Sequence, residues 1–335
     1  MTCVRSVTQW YRDPVSCLQS TLATLLLEAG HDPLEVLGLS WEFRYHPGDV
    51  RPEEYYWPCR RPGDLAGSLL PLHDITSRWR AIDPADPLGA WRDALAEGRL
   101  PVVAVDNYHL PFRPAYHDVH AAHLLVVYDV DETAGTVAVS DAMPPDFAGP
   151  LPAGVLLRSC AAAGVDDEQD VFFSGPVTSG GRWLDVRLPA TIPALDPGCL
   201  GLALEANAAA FAAPSEYAWT GADGLHRYCA QTGTAVTPEL LAEAYTFGWG
   251  MQAQASLHGE LLRTLGARWD RPALAEAGRR VEQVAHRWTA VRVTAAHGRD
   301  DPAGCAGPLR DHLGRLQRAY QEAQAALGRA AVELG

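Results

Sequence analysis

Apolar positions near the start of the chain recur at helical spacing. In YRDPVSCLQSTLATLLLEAG, residues 11–30, Leu18, Leu22, Leu25, Leu26 and Ala29 share one face of a 3.6-residue period and predict a helix. Asp13-Pro14 is a helix-start signal, Ser16 is a second cap candidate, and Gly30 ends the pattern. The period then changes. Trp41, Phe43 and Tyr45 alternate as in a half-buried strand, and residues 46–64, with Pro47, Pro52, Pro58 and Pro62 and no period, read as loop or lid. Residues 86–99 predict a capped helix with Leu88, Trp91 and Leu95 on one face, leading into an apolar strand at 101–106. A second apolar run, 123–130, is followed by the turn DETAGT and by VAVSD, 137–141, its expected hairpin partner. Residues 142–150 read as loop, VLLRSCAAAG as helix, and DVFFSGP and GRWLDVRLP as extended segments.

From about residue 195 the pattern becomes helical, and its last three segments are long, amphipathic and separated by Pro, Gly and Asp breaks. The expected organisation is an α+β domain at 1–195 with an appended helical bundle at 196–335. A length of 335 residues suffices for two cores, and a composition 47% hydrophobic and 20% charged is that of a globular protein.

Charge narrows the partners. Residues 198–335 hold 14 acidic and 13 arginine side chains, which leaves 27 acidic against 14 basic in residues 1–197. The acidity of the first half argues against a nucleic-acid surface there. The chain has no lysine, and its 27 basic residues are all arginine, as codon bias in a GC-rich genome would produce. No apolar run approaches the roughly 20 residues of a membrane span, and the N-terminus lacks a signal-peptide core. A cytoplasmic protein that engages no membrane is expected. The cysteines, at 3, 17, 59, 160, 199, 229 and 305, are odd in number, widely spread and without a CxxC pair, which indicates neither a disulfide framework nor a zinc knuckle. No P-loop, GxGxxG or GxSxG element occurs, so nucleotide and serine-hydrolase chemistry has no support.

Candidate chemistry begins at Cys17. A first-turn position exposes the thiol to the helix dipole and to unpaired N–H groups, which favour a thiolate. The alternative is a small buried core residue, the usual state of a free cysteine. The candidate base lies among His117, His120 and His123, for which three readings stand: metal ligands, structural histidines, or a general base at His123 where the apolar strand begins. An antiparallel pairing of 123–130 with 137–141 would bring Asp141 beside His123, where a carboxylate can fix the imidazole tautomer and stabilise its cation. The three residues together would form a nucleophile, a base and an orienting acid. Tyr108, Tyr116, His117 and His120 either line an acceptor pocket or pack their loop. Tyr245, Phe247 and Trp249 read as bundle core. Arg279, Arg280 and Arg287 either meet an acidic carrier protein or form a solvated helix face.

The order of a Cys, a His before an apolar strand and an Asp closing the next strand resembles that of papain-like cysteine peptidases. More narrowly, SCLQSTLATLLLEAG, EVLGLSWEFRY, VDNYHLPFRPAYHDVHAAHLLVVYDVD and VAVSDAMP resemble the butirosin biosynthesis protein H family. The resemblance implies a papain-like cysteine-protease fold with an appended α-helical bundle. It also implies a natural-product acyltransferase. An acyl or aminoacyl group would leave the phosphopantetheine arm of an acyl or peptidyl carrier protein, pass through Cys17, and reach an amine or hydroxyl on a small-molecule acceptor. His123 would be the base and Asp141 the orienting acid, and neither metal nor further cofactor is expected. A cysteine amidase or peptidase and a non-catalytic carrier-binding scaffold are the alternatives. The long helices suit a homo-oligomer interface as well as a lid. In papain-like enzymes an oxyanion-hole Gln precedes the Cys by about six residues. Tyr11 stands there in this chain, and Gln9 and Gln19 are out of register. The Cys17 backbone N–H is left as the expected donor, with a second donor unassigned.

Overall fold

The computed structural model describes residues 6–47, 57, 63–162, 180–213, 218–234 and 236–334. The chain separates into two compact units, with the main division after Ile192. Residues 34–47 and Trp57, expected with the first domain, group with the C-terminal helices instead.

In the first unit, α1 (Cys17–Glu28) is capped by Ser16, not by Asp13. Every residue from Leu18 to Leu26 is buried, so burial extends beyond the one apolar face that the spacing marks. The polar members survive burial by bonding to the helix itself. Ser20 Oγ and Thr21 Oγ1 donate to the Cys17 carbonyl at 3.1 and 2.9 Å, and Thr24 Oγ1 donates to that of Ser20 at 3.1 Å. Gly30, at φ +82°, supplies the left-handed backbone that ends the helix.

The following elements are α2 (Pro33–Leu37), β1 (Arg44–Tyr45), α3 (Leu65–Leu69), β2 (Thr76–Ala81), α4 (Gly89–Ala96), β3 (Val102–Asp106), β4 (Ala122–Asp131), β5 (Thr136–Asp141), β6 (Phe147–Pro152), α5 (Ala153–Ala161) and β7 (Arg182–Arg187). Six strands form one antiparallel sheet in the order β2-β7-β3-β4-β5-β6. Val103, Val105, Leu125, Val127, Val137 and Val139 pack from this sheet against Trp91 of α4 and Leu156 of α5. Helix α1 lies against β4 and β5.

The hairpin of β4 and β5 was legible; its register was not. From the turn the ladder runs Asp131↔Thr136 to Asp129↔Ala138, and then shifts so that Val127 faces Val139 and Val126 faces Ser140. Tyr128 is the extra residue of a β-bulge. An unbulged ladder would set Asp141 opposite Val126 and turn it away from the His123 side. Extending the bulged register by one residue would set Leu125 opposite Asp141, the side that His123 shares, and Asp141 Oδ2 does lie 2.9 Å from His123 Nε2. Strand β6 overturns the loop reading for residues 147–150, while 142–146 are neither helix nor strand, as expected. Pro150 and Pro152 suggest a break, but on the sheet edge their missing N–H groups can face away from the ladder. Strand β2 has no apolar run to announce it, because its side chains are mostly exposed at the other edge. DVFFSGP lies outside the described residues.

The second unit contains, besides β1 and α2 from Leu34 on, α6 (Pro197–Ala212), β8 (Trp219–Thr220), α7 (Gly221–Thr234), α8 (Pro238–Arg268), α9 (Pro272–His297) and α10 (Pro302–Leu334). Only Arg44–Tyr45 of the expected half-buried strand is a strand, paired with β8, and Trp41, Phe43 and Tyr45 are all buried. Their backbone is satisfied by side chains of the helices. Asn207 accepts from Trp41 N–H at 3.2 Å and donates to the Leu39 carbonyl at 3.1 Å; Gln254 accepts from Glu42 N–H at 3.2 Å. Phe43 and Tyr45 meet Phe247 and Tyr228, so Phe247 is bundle core. Tyr245 and Trp249 instead hold Arg292 of α9, at 4.5 and 4.7 Å from their ring centres. Among the described residues no helix is long and apolar enough to cross a membrane.

Candidate active site

Cys17 occupies the first position of α1. The turn before it closes with Val15 N–H on the Arg12 carbonyl at 3.0 Å, and the Ser16 N–H donates to Gln19 Oε1 at 2.9 Å. The Ser16 hydroxyl also donates to Gln19. The Gln19 side-chain oxygen is thereby held by the cap. Gln9 is committed elsewhere: its Nε2 donates to Ser140 Oγ at 3.1 Å, to the Asp141 carbonyl at 2.8 Å and to the Phe147 carbonyl at 2.7 Å. Gln9 is therefore structural and ties the N-terminal segment to the strand ends that carry Asp141.

His123 lies near the start of β4, and its ring is almost wholly buried. Nε2 meets Asp141 Oδ2 at 2.9 Å, while the Cys17 side chain makes a further hydrogen bond to the ring, to which Nδ1 remains available. Burial alone would depress the imidazole. The Asp141 carboxylate, by charge and by hydrogen bond, and then the Cys17 side chain outweigh it and lift His123 to about 9. Asp141 shows the converse balance. Burial raises its carboxyl, but His123, the Arg113 guanidinium and the Met143 N–H hold it below the ordinary carboxylate value. Oδ1 accepts from Met143 N–H at 2.9 Å, and Oδ2 receives Arg113 Nη1 at 3.1 Å as well as His123. Cys17, His123 and Asp141 thus form one connected chain of side chains, with imidazolium and carboxylate as its inner pair.

The other two histidines of the triplet go separate ways. His120 Nδ1 meets Asp106 Oδ2 at 2.7 Å, and its ring stacks on Tyr108 at 4.1 Å. Asp106 Oδ1 accepts from the N–H groups of Tyr108 and Ala121. His117, at φ +54°, donates its N–H to the Tyr108 carbonyl at 2.9 Å and stacks on Tyr116 at 4.0 Å. Among the described residues no three His, Cys, Asp or Glu side chains are grouped to hold a metal ion. Tyr108, Tyr116, His117 and His120 do form one cluster, packed largely on itself. The arginines on α9 are partly paired, with Arg279 and Arg280 both bonded to Glu276.

Sequence reasoning did not find Arg113, the strand-end contacts of Gln9 or the pair of Asp106 with His120. Arg113 sits in HLPFRPAYHD, a segment with no period, and its contact with Asp141 is purely tertiary. Asp106 did have a signal, since an acidic residue closing an apolar buried strand requires a partner.

Residues 16–142 match the family described as "Butirosin biosynthesis protein H, N-terminal". The match begins one residue before Cys17 and ends one residue after Asp141, and it includes His123 and Arg113. No curated protein matches the chain.

Proposed function

Proceeding from residues 16–142 as a butirosin biosynthesis protein H-like N-terminal domain, we propose that the chain is a cysteine-dependent acyltransferase of natural-product biosynthesis. The observation that carries this reading is the contact chain from Cys17 through His123 to Asp141. In the proposed reaction an acyl thioester on the pantetheine arm of a carrier protein is attacked by the Cys17 sulfur while His123 holds the proton of the thiol as imidazolium. The carbonyl π electrons move onto oxygen. The Cys17 backbone N–H, which has no intrahelical acceptor at the first helical position, supports that charge. Collapse expels the carrier thiolate, which takes the proton from His123, and leaves a Cys17 thioester. An amine or hydroxyl of a small acceptor then attacks, giving its proton to the neutral His123. Expulsion of the Cys17 thiolate restores the starting pair and releases amide or ester. Asp141 keeps Nε2–H directed at itself and so keeps Nδ1 toward the thiol.

Incubation with an acyl-loaded carrier protein, followed by intact-mass analysis, tests the reading. The acyl mass is expected on the wild-type chain and absent from Cys17→Ala, with product formed only when an acceptor amine is supplied. Equal product from Cys17→Ala refutes the nucleophile. Acyl loss at the same rate with and without acceptor refutes transfer in favour of hydrolysis.

A further inference from the structure

Asp141 serves two cations at one oxygen. Oδ2 lies 2.9 Å from His123 Nε2 and 3.1 Å from Arg113 Nη1. The Arg113 side chain is 13% exposed and that of Asp141 is 1% exposed, so solvent screens this pair little. Arg113 comes from the loop between β3 and β4, and Nη1 also donates to the carbonyls of Met143 and Pro144, at 3.1 and 3.4 Å. Its Nε is buried without an acceptor. A guanidinium that only staples two loops together would be expected to use that donor as well. Asp141 does not need Arg113 for its orientation, because the Met143 N–H holds Oδ1 and β5 holds the backbone.

Resting on the acyltransferase reading, we infer that Arg113 is a positioning residue that acts on His123 through Asp141, dividing the carboxylate's charge between guanidinium and imidazolium. Among the described residues, Cys17 from α1 and Asp141 from β5 face His123, with Arg113 behind Asp141, and the residue opposite His123 on β3 is Val105. An undivided Asp141 would bind the imidazolium more tightly and make it a poorer acid toward the departing thiolate. Arg113 keeps that proton transferable.

Two roles for Arg113 predict opposite signs. If it divides the charge, its neutral replacement raises the pH at which His123 loses its proton. If it only holds Asp141 in place, replacement frees the carboxylate and lowers that pH. The experiment is a ring-proton NMR titration of the full chain, with the His123 resonance assigned by its absence in His123→Gln. Arg113→Met is expected to move the His123 midpoint up by about one pH unit, the scale of one nearby charge, and Arg113→Lys to leave it near the wild-type value. Arg113→Gln carries the same test if the methionine variant does not fold. An unchanged or lowered midpoint in the neutral variant overturns the inference. The titration uses no substrate, so a failed acyl-transfer assay does not alter what the His123 midpoint says about Arg113.

Discussion

Asp141→Asn separates the electrostatic role of Asp141 from its shape, since the two side chains are nearly isosteric. In the wild type the carboxylate is the main influence lifting His123 to about 9 against burial. Without it, burial is left to act almost alone, and the imidazole should titrate below the ordinary histidine value of about 6.5. A fall of about three pH units corresponds to about 4 kcal/mol of imidazolium stabilisation, at about 1.36 kcal/mol per unit. The protein should also lose stability at neutral pH. Arg113 then faces an amide in place of a charge, and breaking a buried pair from one side costs about 3–5 kcal/mol. Part of that cost is recovered because Arg113 retains the Met143 and Pro144 carbonyls. A loss of about 3 kcal/mol is therefore expected. Catalytically the tautomer inverts. A neutral His123 facing an amide N–H carries its proton on Nδ1 and can no longer accept from the thiol. The assays are urea denaturation at pH 7 and NMR titration of the His123 ring. A midpoint that stays near 9, or a stability within about 0.5 kcal/mol of wild type, refutes the claim that Asp141 holds the imidazolium.

Other expectations follow from the same contacts. His123 is raised on folding, so its contribution to stability is full below about pH 6.5 and is lost as pH climbs through about 9. Asp141 is depressed, so its contribution is present above the ordinary carboxylate value and is lost as pH falls through its lowered one. Urea midpoints should therefore decline between pH 7 and 10, and His123→Ala should flatten that decline; an equal slope in both proteins counts against the linkage. Gln9→Ala removes three bonds to the ends of β5 and β6 and should cost about 1–3 kcal/mol in urea denaturation, with a neutral result pointing to a frayed N-terminus. In the second unit, a Cβ on Gly259 of α8 would meet the Gly278 carbonyl of α9 at 2.8 Å and the Glu282 N at 2.9 Å. Gly259→Ala should therefore lower thermal stability by about 1–3 kcal/mol even though alanine favours helix, and a stabilised variant would show that the two helices can part freely.

Local pattern determined a good deal of this protein. Leu18 to Leu26 with two cap candidates before them and Gly30 after them specify a helix with Cys17 near its start, because caps and periodicity act within a few residues, and the structure chose Ser16 as the cap. The runs 123–130 and 137–141 with Gly135 between them specify a hairpin, and the change of period near residue 195 marks the helical half. These are short-range properties that a chain carries without knowing its tertiary neighbours. Tertiary structure decided the rest. The bulge at Tyr128 chose which face Asp141 shares with His123, and a one-residue register choice is settled by packing on both faces of the sheet. Arg113 met Asp141 only because two loops close over one sheet end. The Gln9 amide N–H groups went to strand ends and the Gln19 side-chain oxygen to a helix cap. Residues 38–45 left the first half for the bundle because Asn207, Gln254 and His258 offered their backbone buried partners. Residue types are written in the sequence, but the charge on an imidazole depends on which groups surround it, and only the assembled fold brings a carboxylate, a thiol and a guanidinium to the same ring.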